Sequence, residues 1–415
     1  MGKYRLICLE GGEFVDDDYR LRCDRHSGLL RAEYDAVRLD VKRMNGVFKF
    51  YDWLPVASII DTDAAPVAFR NTELSRELGL KDLLIAFTGY YPERGAFVRS
   101  CSFKEMEALP TMARIRDAKK GTVVVASAGN TGRAFAHISN VVGMNSVIVV
   151  PERSADRIWV PDDRGYSKLM TVKGDYADSI AVSERISSMK GFVPEGGARN
   201  IARRDGMGTV MLESVISMGK MPDYYFQAVG SGTGAISAWE ASMRLVADGR
   251  FGTKLPELHL SQNDPFMPMK NAWDDGRRSI EKKDMENAER NISEVYADVL
   301  TNRNPPYSPV GGLFDAMTAC GGMIYGVTNE EAKAAERLWS EFESAVPDPA
   351  ASVALASLIK AIGKGTIDKN RTVMLNMTGG GQNLVHKDVT MTRIERFAAV
   401  DANVSDDELR RVING

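Results

Sequence analysis

The sequence predicts an α/β protein with parallel sheets, because short β-branched runs alternate with helical patterns from about residue 60 onward. The clearest unit begins with the run 122–127, which has the composition of a buried strand. A loop of small residues and a helix follow, and this helix carries Phe135, Ile138 and Val142 on one face. The run 146–150 is the returning strand. A strand, a crossover helix and a second strand form the repeating unit of a parallel sheet.

Two further strands end in glycine-rich loops. The run 224–229 leads into the loop 230–234, and the run 373–377 leads into the loop 378–381. Ligands of open α/β sheets bind beyond the carboxyl ends of the strands, so we expect a ligand site where such loops meet. The stretch 270–305 is densely charged and is predicted to form exposed helices.

Length and composition restrict the domain number, the partners and the cellular setting that can be expected. The chain has 415 residues, of which 44% are hydrophobic, so two packed domains are expected. The net charge of −3 provides no overall positive field, and we expect neither a nucleic-acid nor a membrane partner. No segment approaches the length of a membrane span. Four widely spaced cysteines favour a reducing, cytoplasmic setting: Cys8, Cys23, Cys101 and Cys320.

The glycine-rich loop 230–234 has the composition of an anion site. It lies between a strand and a helix start, where backbone N–H groups and the helix dipole favour a phosphate. No Gly-Lys-Ser/Thr follows, and the G-x-G-x-G spacing does not match a dinucleotide loop. A small phosphorylated cofactor is therefore expected, the alternative being a tight turn that needs glycine only for positive φ. The loop residues are Gly230, Ser231, Gly232, Thr233 and Gly234.

Four motifs in a fixed order resemble one known group of enzymes. They are Ser102-Phe103-Lys104 and the loops 127–131, 230–234 and 378–381. Together they resemble the fold-type II pyridoxal-phosphate enzymes of the threonine synthase and cysteine synthase group. The resemblance implies pyridoxal 5'-phosphate as the cofactor. It also implies a tryptophan synthase β-like fold, with two three-layer αβα domains and the cofactor in the cleft between them.

The same resemblance implies the limits of the domains. A large cofactor-binding domain is expected over 61–109 and 216–415, and a small substrate-binding domain over 110–215. The residues 1–60 are expected to form a small accessory segment before the main fold. We also expect the protein to be a homo-oligomer.

Each motif residue acquires a role from the resemblance. Lys104 corresponds to the catalytic lysine that holds the cofactor as a Schiff base and moves the Cα proton, which needs an amine of lowered pKa. Asn130 corresponds to the partner of the cofactor's 3'-oxygen, and Thr378 to the hydroxyl beside its pyridine nitrogen. From the residues alone, Lys104 also fits a solvated surface lysine and Asn130 a helix cap. The groups expected to bind the substrate α-carboxylate are Ser127, Gly129 and Thr131.

Four longer runs, 99–105, 126–137, 194–200 and 226–234, resemble the cysteate-forming branch of the threonine synthase family, and this resemblance covers nearly the whole chain. Members of that branch, found in methanogens, are transferases. They replace the phosphate of O-phospho-L-serine by sulfite and give L-cysteate for coenzyme M biosynthesis. Because the leaving group and the nucleophile are both anions, guanidinium groups suit both. We therefore expect Arg133, together with Arg203 or Arg204, to bind phosphate or sulfite, the alternative being that all three are surface arginines.

Two other functions fit the same motifs. The chain could be a threonine synthase acting on O-phosphohomoserine, or a catalytically silent protein that binds pyridoxal phosphate. The sequence also departs from the usual threonine synthase pattern Thr-Gly-Ser-Phe-Lys-Asp-Arg-Gly, since Glu105, Met106 and Glu107 follow the lysine. This departure predicts an altered pocket for the leaving group or the nucleophile.

The N-terminal segment resembles the remnant of a zinc ribbon found at the start of some threonine synthases. Cys8, Cys23 and His26 supply three metal-binding side chains, and Gly11 occupies the position of the fourth. Three ligands do not close a structural zinc site, so no metal is expected. Cys101 is expected to be a small residue that lines the cofactor pocket.

Overall fold

A computed structural model describes residues 2–414 of the chain. The strands are β1 (Tyr4–Cys8), β2 (Phe14–Val15), β3 (Leu30–Tyr34), β4 (Val67–Phe69), β5 (Asp82–Phe87), β6 (Tyr90–Tyr91), β7 (Ala96–Phe97), β8 (Thr122–Ala126), β9 (Ser146–Pro151), β10 (Trp159–Pro161), β11 (Ser167–Lys173), β12 (Phe192–Pro194), β13 (Tyr224–Ala228), β14 (Glu257–Asn263), β15 (Gly322–Val327), β16 (Thr372–Met377), β17 (Met391–Arg393) and β18 (Arg396–Asp401). The helices are α1 (Thr72–Glu77), α2 (Lys104–Asp117), α3 (Asn130–Val142), α4 (Tyr176–Ser187), α5 (Ile201–Met218), α6 (Thr233–Asp248), α7 (Pro268–Asp274), α8 (Ala288–Glu294), α9 (Leu313–Cys320), α10 (Asn329–Phe342), α11 (Pro349–Lys364), α12 (Gln382–Asp388) and α13 (Asp406–Asn414).

A six-stranded sheet forms the larger of two three-layer units. Its strand order is β15-β14-β13-β16-β5-β4, and only the edge strand β4 runs antiparallel to its neighbour. Successive residues of a strand point to opposite faces. Phe226 and Leu375 accordingly pack in one core with helices α10 and α11, while Tyr225 and Met374 pack in another with α5 and α6. Burial on both faces explains why these strands are almost continuously apolar.

A five-stranded parallel sheet forms the second three-layer unit. Its strand order is β12-β8-β9-β11-β18. Val123 and Val125 pack against α2 and α3 on one face, and Val124 packs against α4 and α13 on the other. The predicted strands at 122–127 and 146–150 are therefore present as β8 and β9, joined by α3 as the crossover helix.

The second unit departs from the predicted domain limits in two places. Strand β18 and helix α13 belong to this unit, whereas the sequence assigns all of 216–415 to the large domain. Strand β18 covers the edge of β11, which would otherwise expose unpaired backbone groups, and Val400 and Leu409 bury their side chains in the same core. The predicted boundary between 109 and 110 also falls inside the continuous helix α2.

The N-terminal segment packs onto the main fold. Strands β1, β2 and β3 form an antiparallel sheet in the order β2-β1-β3. Leu6 and Leu30 of this sheet share a core with Ile201 at the start of α5. The hydroxyl of Tyr19 donates to the carbonyl of Pro194 over 2.9 Å, which ties the segment to the end of β12.

The charged stretch 270–305 forms exposed helices only in part. Helices α7 and α8 are short, and Arg277 and the buried Asp284 pair between them over 2.8 Å. The last part of the stretch turns inward, because Leu300 is buried and contacts the core beneath β13. Among the described residues, no helix is long and apolar enough to cross a bilayer.

Candidate active site

A cavity of about 800 Å³ lies where strands β8, β13 and β16 end. The loops that follow these three strands all line it, as predicted for a site at the carboxyl ends of parallel strands. Four other parts of the chain also line it: Leu21, Arg22 and Leu29 of the N-terminal segment, helix α4, the segment 194–199 before α5, and the segment 299–309. The sequence motifs did not point to the N-terminal residues or to 299–309.

Lys104 is the first residue of α2 and lines the cavity. The residues before it pair with the loop after β16: the N–H of Phe103 donates to the carbonyl of Thr378 over 2.9 Å, and the N–H of Gly380 donates to the carbonyl of Cys101 over 3.0 Å. A Cβ on Gly379 would lie 2.8 Å from that same Cys101 carbonyl, so only glycine permits this close approach. The pairing brings Lys104 and Thr378 to the same wall.

The amine of Lys104 faces one buried carboxylate. Its Nζ lies 3.6 Å from Oε2 of Glu107, which is three residues further along the same helix face. Burial lowers the pKa of Lys104, and the charge of Glu107 opposes part of this effect. Glu107 also accepts from Nε of Arg203 over 2.9 Å and from the hydroxyl of Thr131 over 3.2 Å. One carboxylate therefore holds three groups of the site in place.

The loop between β13 and α6 presents backbone donors to the cavity. The N–H groups of Ser231, Gly232 and Gly234 have no acceptor in the part of the chain that the structure describes. Gly232 adopts a φ of +79°, which favours glycine, and the hydroxyls of Ser231 and Thr233 lie 2.8 Å apart. Unsatisfied N–H groups at the start of a sixteen-residue helix form an anion site.

Asn130 begins α3 and is held from two sides. Its Nδ2 donates to Oδ2 of Asp348 over 3.1 Å, and its Oδ1 accepts from Nη2 of Arg133 over 2.8 Å. The hydroxyl oxygen of Ser127 accepts from the N–H groups of Gly129 and Gly132 over 2.9 and 2.7 Å. Ser127 therefore caps the helix with its oxygen and keeps its own proton free to donate. The partner Asp348 is a residue that the sequence did not indicate.

A family model for pyridoxal-phosphate dependent enzymes matches residues 86–379. The chain belongs to this family. Two relatives are named cysteate synthase. The one from Methanocorpusculum labreanum is 54% identical over 97% of this chain and 98% of its own length. The one from Methanosarcina barkeri is 49% identical over 99% of this chain and 100% of its own length.

Solved structures agree on the fold. A serine racemase from Dictyostelium discoideum superimposes with a TM-score of 0.54 and 18% identity, covering 76% of this chain and 92% of its own. A diaminopropionate ammonia lyase from Escherichia coli superimposes with a TM-score of 0.60 and 16% identity, covering 84% and 94%. The predicted fold-type II architecture and the predicted pyridoxal-phosphate cofactor are both confirmed.

The residues of the cavity fit this cofactor. The unsatisfied N–H groups of the loop 230–234 suit its phosphate, and the amine of Lys104, which lines the cavity, suits its aldehyde. Asn130 and Thr378 line the same cavity as polar groups of fixed position. The roles of the individual residues stay predictions.

Two of the three predicted anion-binding arginines do not line the cavity. Arg133 is buried on the far side of Asn130, where its Nε donates to the carbonyl of Ser100 over 2.8 Å and its guanidinium stacks on Trp159. Arg204 is buried against the N-terminal sheet, where its Nε contacts Oε2 of Glu240 over 3.0 Å. Both groups already have partners within the protein, so the structure assigns them a supporting position.

Three guanidinium groups line the cavity, and the predicted Arg203 is one of them. Arg203 bonds Glu107 through Nε and Glu195 through Nη1, and its Nη2 has no partner among the described residues. Arg22 and Arg199 also line the cavity, and neither forms an ion pair or a side-chain hydrogen bond within residues 2–414. Burial lowers the pKa of Arg199, and the charge of Arg22 adds to this effect. These two cations repel each other, which favours an anion between or beside them.

Cys101 is buried behind the pairing that positions Lys104 and is absent from the cavity wall. This differs from the prediction that it lines the cofactor pocket. The physical reason is its backbone: a φ of +56° turns the chain so that the carbonyl, and not the thiol, bonds the loop after β16. Burial raises the pKa of the Cys101 thiol to about 12, so it remains protonated.

Proposed function

We propose that this enzyme replaces the phosphate of O-phospho-L-serine by sulfite, which gives L-cysteate and phosphate. The observation that carries the proposal is the pair Arg22 and Arg199, which lack protein partners and line the same cavity as Lys104. Relatives of this chain over nearly their full length are named cysteate synthase, and this supports the same reaction here. The proposal includes the use of L-cysteate for coenzyme M, as the sequence resemblance implies.

The cavity can accept two anions in turn. The phosphate leaves as a dianion or monoanion, and sulfite enters as an anion, so the same cations can serve both steps. Guanidinium groups donate in pairs to tetrahedral and trigonal oxyanions. Arg22, Arg199 and the free Nη2 of Arg203 supply this donor set from three different segments of the chain. A neutral leaving group would make no use of it.

Lys104 is the group proposed to move the Cα proton of the substrate. When bound, pyridoxal phosphate supplies the electron sink that makes this proton acidic. A lysine acts as a base only when its amine is neutral, and burial lowers the pKa of Lys104 in that direction. Glu107, at 3.6 Å, then stabilises the ammonium that forms once the proton has been taken.

Ser127, Gly129 and Thr131 are proposed to bind the α-carboxylate of the substrate. The hydroxyl proton of Ser127 is free, because the Ser127 oxygen serves as the cap of α3. The start of a thirteen-residue helix adds a favourable dipole for a carboxylate. Glu107 accepts from Thr131, which fixes the position of that residue.

Glu107 marks the difference from threonine synthases. The usual pattern of that family has glycine at this position, and here a buried carboxylate links Lys104 to Arg203. Arg203 in turn lines the cavity beside Tyr176 and Glu195. The changed residue therefore supports a changed pocket.

A substrate panel tests this proposal. Purified holoenzyme is supplied with O-phospho-L-serine or O-phosphohomoserine, each with and without sulfite, and phosphate release is measured. We expect phosphate release and L-cysteate from O-phospho-L-serine with sulfite. Threonine formed from O-phosphohomoserine would replace the proposal by the threonine synthase alternative. A bound yellow chromophore without turnover of either substrate would indicate a catalytically silent protein.

A further inference from the structure

Four metal-binding side chains meet in the N-terminal sheet, outside the cavity wall. Cys8, Glu13, Cys23 and His26, here called the N-terminal cluster, each offer one ligand atom, and these atoms lie within 4.8 Å of one another. Nδ1 of His26 lies 3.6 Å from each of the two sulfurs. Oε1 of Glu13 lies 3.5 Å from the sulfur of Cys23 and 3.2 Å from Nδ1 of His26.

These separations match the edges of a zinc tetrahedron. With bonds of about 2.3 Å to sulfur and about 2.0–2.1 Å to nitrogen or oxygen, tetrahedral angles place sulfur and nitrogen about 3.6 Å apart. The same bonds place sulfur and oxygen about 3.5 Å apart, and nitrogen and oxygen about 3.3 Å apart. The four separations of the N-terminal cluster agree with these values within about 0.1 Å.

The fourth ligand explains why position 11 is glycine. Three ligands with Gly11 in place of the fourth predict no closed site, but Glu13 reaches into the space that a side chain at position 11 would fill. A Cβ on Gly11 would lie 1.9 Å from Oε2 of Glu13 and 2.4 Å from Cε1 of His26. The carboxylate of Glu13 therefore replaces a ligand at position 11.

The backbone around the N-terminal cluster is held independently of any ion. The N–H of Cys8 donates to the carbonyl of Glu13 over 2.9 Å, and this bond closes the turn between the two residues. Oε2 of Glu10 accepts from the N–H groups of Ser27 and Gly28 over 3.0 and 2.7 Å, which fixes the turn after His26. Ligands on a held backbone lose little conformational entropy when a metal binds.

We propose that the N-terminal cluster binds one zinc ion in a closed structural site. Two thiolates, one imidazole and one carboxylate form a donor set that zinc accepts at four-coordinate geometry. Four protein ligands leave no open position, so the ion has no direct part in catalysis. Arg25, whose Nη2 lies 3.1 Å from Oε1 of Glu13, offsets the excess negative charge of the three anionic ligands.

The ion would fasten one wall of the cavity. The cluster joins strand β1 to the segment that carries Leu21, Arg22 and Leu29, all three of which line the cavity. The N–H of Leu29 donates to the carbonyl of Val310 over 2.8 Å at the far end of this segment. The zinc site thus restricts a stretch that reaches the substrate through Arg22.

Metal content and cobalt substitution of the full-length holoenzyme test the proposal. We expect one zinc per chain in the protein as purified. After replacement by cobalt, we expect thiolate-to-metal charge transfer and the d–d bands of a tetrahedral site. Absence of bound metal, cobalt bands without a thiolate contribution, or a Cys8–Cys23 disulfide in the native protein would each overturn the proposal.

A matched pair of variants tests whether the ion is bound by the N-terminal cluster. Cys23→Ser is expected to lose the zinc and to become sensitive to proteolysis between residues 8 and 29. Cys320→Ser, which changes another buried free cysteine in a different core, is expected to keep one zinc per chain. Equal metal loss in both variants, or retention in both, would contradict the assignment. If Cys23→Ser does not fold, the cobalt spectrum of the unmodified protein still decides.

Discussion

Glu107 contacts both the amine of Lys104 and the cavity residue Arg203, so removal of its charge tests the electrostatics of the site. Glutamine in the variant Glu107→Gln keeps the shape of the side chain and removes the carboxylate that lies 3.6 Å from Lys104. At an effective dielectric constant of about 20, two unit charges at this distance attract by about 4–5 kcal/mol. Loss of this attraction lowers the pKa of Lys104 below its already reduced value, because burial then acts with less opposition.

The expected effect appears in the pH dependence of kcat. A base of lower pKa stays neutral to lower pH, so the acidic limb of the kcat profile moves to lower pH in Glu107→Gln. The hydrogen bond from Arg203 also loses its charged acceptor, which costs about 1.5–3 kcal/mol of unfolding free energy. Urea unfolding measures this second effect independently of activity.

Glu105→Gln is the matched control. Glu105 is equally buried on the same helix, but it accepts from the N–H of Ser100 over 2.8 Å, and its side chain forms no ion pair with Lys104 among the described residues. We expect Glu105→Gln to lose stability without moving the acidic limb. An unchanged limb in Glu107→Gln, or equal shifts in both variants, would refute the role given to Glu107.

Three further predictions concern the cofactor loop, the anion site and a buried histidine. Gly232→Ala forces a residue with a side chain into a φ of +79°, which costs about 1–2 kcal/mol and weakens cofactor retention in dialysis. Gly249→Ala imposes the same strain at a φ of +80° outside the cavity and is expected to retain the cofactor. Arg199→Ala is expected to raise KM for O-phospho-L-serine about 10- to 150-fold, through loss of a charged hydrogen bond of about 1.5–3 kcal/mol, and to leave KM for O-acetyl-L-serine, whose ester group carries no charge, unchanged. Burial lowers the pKa of His259 from 6.5 to about 4, so the unfolded chain binds the extra proton between these values. Unfolding free energy should therefore fall by up to about 3 kcal/mol as the pH drops from 6.5 to 4, and urea titrations of His259→Gln should lack this slope.

The strands and the glycine-rich loops could be predicted because their signals are local. A buried strand shows as a β-branched run, and the loop after it shows as small residues, whatever the rest of the chain does. Strand β18 could not be placed in this way, because its partner β11 lies more than two hundred residues earlier and no local pattern connects them. The partner of Asn130 was missed for the same reason, since Asp348 lies 218 residues away.

The arginines show that the direction of a side chain is difficult to predict from the sequence. Arg203 and Arg204 are neighbours on α5, and successive residues of a helix point about 100° apart. One therefore reaches the cavity, and the other reaches the N-terminal sheet. Arg133 lies three residues after Asn130 on the same helix face, so it bonds that side chain and not an anion in the cavity. Arg22 was missed because no local pattern connects the N-terminal segment with the loops that form the cavity.

The predicted homo-oligomer and the roles of single cofactor-binding residues stay predictions. Lys104, Glu107 and Arg203 form one linked group, so single substitutions among them are expected to be non-additive.

The ratio of products from one reaction distinguishes replacement of the phosphate by sulfite from simple elimination. Purified holoenzyme is mixed with O-phospho-L-serine and an excess of sulfite, and phosphate, L-cysteate and pyruvate are quantified together. The proposed replacement predicts one L-cysteate for each phosphate and little pyruvate. Pyruvate equal to phosphate, with no L-cysteate, would contradict the replacement reaction and leave only elimination.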